Sequence, residues 1–170
     1  MRSTAKIKIV HLIMKAVLDM IWLIAVHVIS AILGLGPAFA FPWVLRQTSS
    51  IHEMRHNLQL VERLEIFPKI FGSLALVSGL ALFFIGSYGP ILQLWIAGSL
   101  ILYVGAQVVV IGFMAPAVRS LQLALGESEA AAEPVATEGI IRKYARVRSL
   151  HTGVGVLCML ILLLMIVKPL

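Results

Sequence analysis

Four apolar runs, at about residues 16–45, 68–86, 91–117 and 148–167, constrain this chain more than any other feature. Each is long enough to cross a bilayer as a helix, which takes roughly 20 apolar residues. The expected fold is therefore all-α and polytopic. Four transmembrane helices form one antiparallel bundle, and the 170 residues leave no room for a separate soluble domain. Composition agrees: 60% of residues are hydrophobic and 13% charged, where a soluble domain carries about 25% charged residues.

The formal charge of +6 lies between the runs rather than along one face, and no nucleic-acid fingerprint accompanies it. Basic loops of this kind sit against anionic lipid headgroups. The loops at 46–67 and 118–147 fall on one side of the membrane and, with Lys69 and Arg148 at their edges, hold nine Lys and Arg, against five at the two termini. The positive-inside bias puts those loops in the cytoplasm and both termini outside. The lone cysteine, Cys158, lies inside the fourth run, which excludes an intrachain disulfide. Ala38-Phe39-Ala40 looks like a signal-peptide cleavage site. The apolar run before it exceeds the roughly 7–15 residues of a signal core, so the segment reads as a retained membrane helix.

Residues 5–15 form a basic amphipathic lead-in, and the first span ends near Pro37 and Pro42, which each remove a backbone donor. An amphipathic helix follows at about 50–66. Ser50 and Glu53 have capping-box spacing, and Ile51, Met54, Leu58, Val61 and Leu64 recur on one face. It reads as an interfacial helix, or as one that docks a protein partner. Ser87-Tyr88-Gly89-Pro90 is a tight turn that makes spans two and three a hairpin. The acidic, small-residue stretch at about 126–138 reads as a mobile loop.

Glycines recur every seventh residue in span two (Gly72, Gly79, Gly86) and in span three (Gly98, Gly105, Gly112). A period of seven holds one helix face toward a neighbour, and glycine lets backbones approach closely in lipid. The two stripes are expected to pack on each other within the hairpin, to leave room for a flat ligand, or to join copies into a homo-oligomer. Ser30, Gly34 and Ala38 form a matching small-residue stripe in span one.

His27 carries the strongest chemical signal. An ionisable side chain near the middle of a membrane helix faces protein and often marks function. Neutral imidazole is also a common haem or metal ligand. A neutral histidine bonded to a neighbouring helix is the plainer alternative. His151 lies near the cytoplasmic end of its span, leaving a gap in depth of roughly 20 Å, so one haem iron does not bridge the pair. Ser78, Tyr103 and Cys158 match the depth of His27, and Gln107 lies one turn deeper. If they face inward, they form a polar layer with His27, Ser30 and Gly34 that lines a small cofactor pocket or serves packing alone. Met159 beside Cys158 raises a soft-metal site, but one Cys and one Met do not make a copper motif. His11, His52 and His56 fall on surface segments. No phosphate loop, catalytic carboxylate pair or serine nucleophile motif is present.

The stretch from His27 through Gly34 to Pro37, and the ending Met165-Ile-Val-Lys-Pro169, resemble the first and last helices of DUF2269, a bacterial family of predicted integral membrane proteins. The likeness covers most of the chain and implies a multi-pass protein of the bacterial inner membrane. That family is distantly similar to the four-helix HemJ-type protoporphyrinogen oxidases and the copper-resistance D proteins, which place a histidine where His27 stands. The resemblance implies a haem or metal role for His27. It does not extend to the basic and aromatic residues expected around a porphyrin substrate.

Overall fold

A computed structural model describes residues 2–86, 93–131 and 135–168. The predicted turn at 87–90 lies outside the described residues, as do Pro169 and residues 132–134 of the acidic stretch; so do the side chains of the lead-in as far as residue 10. All regular structure among the described residues is helical, apart from one β-bridge between Ser50 and Val135. Four helical runs are long and apolar enough to cross a membrane: Met14–Val44, Ile51–Ile85, Leu94–Ala130 and Glu138–Val167.

Helix α1, Arg2–Leu35, runs unbroken from the lead-in through most of the first span. It stops where Gly36 meets Pro37, and α2, Pro37–Val44, continues with proline at its first position and Pro42 inside. Proline is tolerated at a helix start, where the amide has no partner anyway. Inside α2, however, Pro42 cannot donate to the carbonyl of Ala38.

Helix α3, Ile51–Leu64, is capped by Ser50, whose Oγ accepts from the Glu53 amide at 3.4 Å. The expected box closes differently from its usual form. Thr48 Oγ1 accepts from the Ser50 amide at 3.2 Å and donates to the Glu53 carboxylate at 2.7 Å, so Thr48 stands between the two box residues. Helix α4, Ile66–Ile85, follows after a one-residue junction.

Helix α5, Leu94–Val108, passes through a π turn, Val109–Met114, into α6, Ala115–Ala130. Together they make a run of 37 residues, well beyond the roughly 20 a bilayer accepts. Helix α7, Glu138–Val167, likewise begins ten residues before the fourth apolar run. The excess of α6 and α7 projects past the membrane on the loop side, and α3 lies against it.

That loop-side layer holds the most tightly buried side chains: Leu45, Met54, Val61, Leu121, Leu125 and Val147. The apolar face of α3 is thus covered by α2, α6 and α7, with Asn57 Nδ2 donating to the Tyr144 hydroxyl at 3.1 Å. Water drives apolar burial there, whereas spans in lipid gain little by hiding leucine from acyl chains. The acidic stretch is helical as far as Ala130; Glu129 pairs with Arg55, and the Ala136 amide donates to the Ser49 carbonyl at 2.8 Å.

Within the membrane the helices pair as α1 with α4 and α5 with α7, and α2 joins the pairs by packing on α7. Each pair is antiparallel. Gly34 faces Gly72, and seven residues back along α1, His27 faces Gly79, seven residues forward along α4. At the other end Lys168 lies over the Trp95 ring at 5.4 Å, joining the end of α7 to the start of α5. The glycine stripe of span two therefore packs on span one, not on span three as the hairpin reading expects. A Cβ on Gly34 would fall 2.6 Å from the Gly72 nitrogen, so backbone meets backbone there. In span three, Gly98 faces Leu164 of α7, while a Cβ on Gly105 or Gly112 would meet nothing within 4 Å. Heptad spacing specifies a packing face but not which helix meets it.

Candidate functional site at mid-membrane

His27 is half-buried between α1 and α4. Its Nδ1 lies 2.9 Å from the Ala75 carbonyl oxygen and 3.3 Å from Ser78 Oγ. A carbonyl only accepts, so this bond requires the proton on Nδ1. Ser78 is buried and donates its own hydroxyl to the Leu74 carbonyl at 2.6 Å, leaving its oxygen free to accept from the same Nδ1–H. Both contacts fall on Nδ1, and Nε2 is the ring nitrogen left outside them. No partner for Nε2 is present among the described residues.

The ring fits because residue 79 is glycine. A Cβ there would come within 2.8 Å of the imidazole Cε1. Ser30, 2% exposed, lies one turn along α1, and Gly34 closes the helix contact a turn further. Four of the sequence-predicted residues, His27, Ser30, Gly34 and Ser78, thus share the α1–α4 seam.

The other three do not join them. Tyr103 and Gln107 stand on α5, with Gln107 exposed, and Cys158 is buried on α7. Helix α5 packs on α7 and makes at most marginal contact with α1 or α4. Depth along a span is readable from sequence, but the pairing of helices around the bundle is not. Cys158 points into the α7 packing face while its neighbour Met159 is 47% exposed, which separates the two soft donors. His52 and His56 are exposed on α3. Among the described residues no group of three His, Cys, Asp or Glu side chains gathers to hold a metal.

His151 is the polar residue that sequence reasoning set aside. It is 3% exposed, its ring meets Phe41 edge-on at 5.1 Å, and its Nε2 is buried without a hydrogen-bond partner among the described residues. Gly155, one turn along α7, brings the backbone close enough that a Cβ would lie 3.3 Å from the Ala38 oxygen. This is the same carbonyl that Pro42 leaves without its helical donor. The signal in the sequence was the pairing of Pro42 with a His-x-x-x-Gly face on the last helix. His151 packs fourteen residues along from His27, at Phe41, a separation of roughly 20 Å by helical rise.

The family model described as "Predicted integral membrane protein (DUF2269)" covers residues 21–169, including every residue of the site. No curated protein matches the chain, and neither does any solved structure. The chain belongs to the DUF2269 family of predicted integral membrane proteins.

Proposed function

We propose that this protein binds a small ligand or cofactor at mid-membrane through the Nε2 of His27. One observation carries the reading: Nδ1 is committed to the Ala75 carbonyl, so the unpartnered nitrogen presents a lone pair. A histidine whose second nitrogen is held by a backbone carbonyl has the arrangement of an oriented metal or cofactor ligand. The donor set fits a group that takes a single imidazole. A haem would be held here by His27, and among the described residues His151 is too distant to share in holding it. When bound, such a group would supply redox or ligand-binding chemistry. The residues of the chain hold its tautomer, through Ala75 and Ser78, and leave space for the ring, through Gly79.

The resemblance of the first and last helices supports a bacterial inner-membrane placement, and the basic loops support putting the α3, α6 and α7 layer in the cytoplasm. The second reading is an accessory subunit in which His27 only ties α1 to α4.

Two variants separate them. His27→Asn places an amide donor near the position of Nδ1 and removes Nε2, whereas His27→Ala removes both. The experiment is an absorbance spectrum with metal analysis on detergent-purified protein, followed by titration with hemin. The ligand reading predicts that His27→Asn keeps wild-type thermal stability and loses the bound chromophore or metal. A metal-free, colourless wild type that ignores hemin, with only His27→Ala unstable, would establish the tie alone.

A further inference from the structure

At the loop-side boundary of the membrane, Lys143 and Arg146 of α7 face Gly112, Phe113, Pro116 and Ala117 across an open cleft of about 250 Å³, and Ser120 completes its lining. We propose that this cleft binds the headgroup phosphate of an acidic phospholipid in the loop-side leaflet.

Charge is the first argument. Lys143 and Arg146 are three residues apart on one helix face, where like charges repel. Neither has a carboxylate within ion-pair distance among the described residues, although Arg142 beside them pairs with Glu138 at 2.9 Å and Lys69 with Glu65 at 3.0 Å. The nearest polar partner of Lys143 Nζ is the Ser120 carbonyl, at 3.4 Å. A phosphate between the two cations would relieve the repulsion with charge-assisted hydrogen bonds.

Depth is the second. The cleft joins the end of the third apolar run to the residues just before the fourth, which is headgroup level on the side carrying the basic loops. Anionic headgroups collect at basic pockets between membrane helices. Its apolar wall continues into lipid-facing surface: Phe113 is 53% exposed and Ile111 70%. An acyl chain can lie there while the headgroup enters the cleft. The volume is below the roughly 300–1,000 Å³ of pockets that enclose a whole small molecule, and suits a headgroup whose tails remain outside.

Backbone geometry is the third. Pro116 has no amide proton to give the Gly112 carbonyl. The helix widens instead, with the Ala115 amide bonding the Val110 carbonyl. Such π turns gather at functional sites. Here the wide turn carries a glycine, and a Cβ at Gly112 would meet nothing within 4 Å, so the cleft stays open.

The test is native mass spectrometry of the full chain in non-ionic detergent, titrated with equimolar dioleoyl phosphatidylglycerol and phosphatidylcholine. Wild type should retain the phosphatidylglycerol preferentially. K143Q/R146Q should lose that preference by about tenfold or more. Gly112→Leu, which keeps both cations but fills the cleft, should lose it too, and it carries the test if the double variant does not fold. R46Q/R63Q removes the same charge elsewhere on the loop side and should change the preference by less than about twofold. Unchanged retention in the cleft variants, or equal loss in R46Q/R63Q, would overturn the site. Displacement of the lipid by millimolar inorganic phosphate would show a free-anion site and overturn the lipid assignment.

Discussion

A single imidazole illustrates what the sequence could and could not reveal at residue scale. That His27 faces protein follows from the expense of an ionisable group in lipid. That Ala75 takes its proton does not, because a backbone carbonyl has no signature in sequence. The two close glycine contacts give a ranked prediction. At Gly79 an added methyl meets the end of the His27 side chain, which can shift; at Gly34 it meets the backbone of Gly72, which cannot. Gly34→Ala should therefore destabilise by about 1–3 kcal/mol and Gly79→Ala by less, measured as thermal unfolding in detergent. The reverse order would show that the α1–α4 seam is not as close as described. His151 gives the opposite sign. A buried nitrogen without a partner costs about 1–3 kcal/mol, so His151→Phe should raise the melting temperature. A fall would mean that Nε2 has a partner in the membrane.

At the scale of elements, the apolar periodicity of α3 was legible, down to Ile51, Met54, Leu58 and Val61 as its buried face. What covers that face was not, because the projecting end of α6 only continues the third apolar run and that of α7 only leads into the fourth. Proline and glycine placements were more telling. Pro37 opens α2 just past the end of α1 and Pro42 lies inside α2 near the end of the first span, while Pro116 produced a π turn that a list of apolar residues does not reveal. The docking of α3 is testable by cavity formation. Met54 is fully buried, so Met54→Ala should cost about 2–5 kcal/mol, whereas Arg55→Ala, which breaks an exposed pair with Glu129, should cost under about 1 kcal/mol. Equal effects in an unfolding titration would place α3 on lipid rather than on α6 and α7.

For the whole molecule, four spans and an all-helical chain could be read from hydropathy alone, because lipid tolerates few other solutions. The partition into an α1–α4 pair and an α5–α7 pair could not: in lipid, small residues allow close approach anywhere along a glycine stripe and do not name their partner. That partition is why Ser30, Gly34 and Ser78 gather at His27 while Tyr103, Gln107 and Cys158 stand on the other pair. It also predicts proximity. Cysteines introduced at Gly98 and Leu164, where a Cβ on Gly98 would meet the end of the Leu164 side chain, in a Cys158→Ser background, should be joined by a short thiol-reactive crosslinker, and cysteines at Gly79 and Gly105 should not; efficient crosslinking of the second pair would restore the hairpin packing. The most direct measurement is nitrogen NMR of histidine-labelled protein, with His27→Asn used to assign the His27 signals. The expected result is a neutral ring protonated at Nδ1, with a bare Nε2 whose signal moves when a ligand is added. A neutral ring protonated on Nε2 alone would contradict the bond to Ala75, and a ring charged at neutral pH would leave no lone pair for the ligand site built on Nε2.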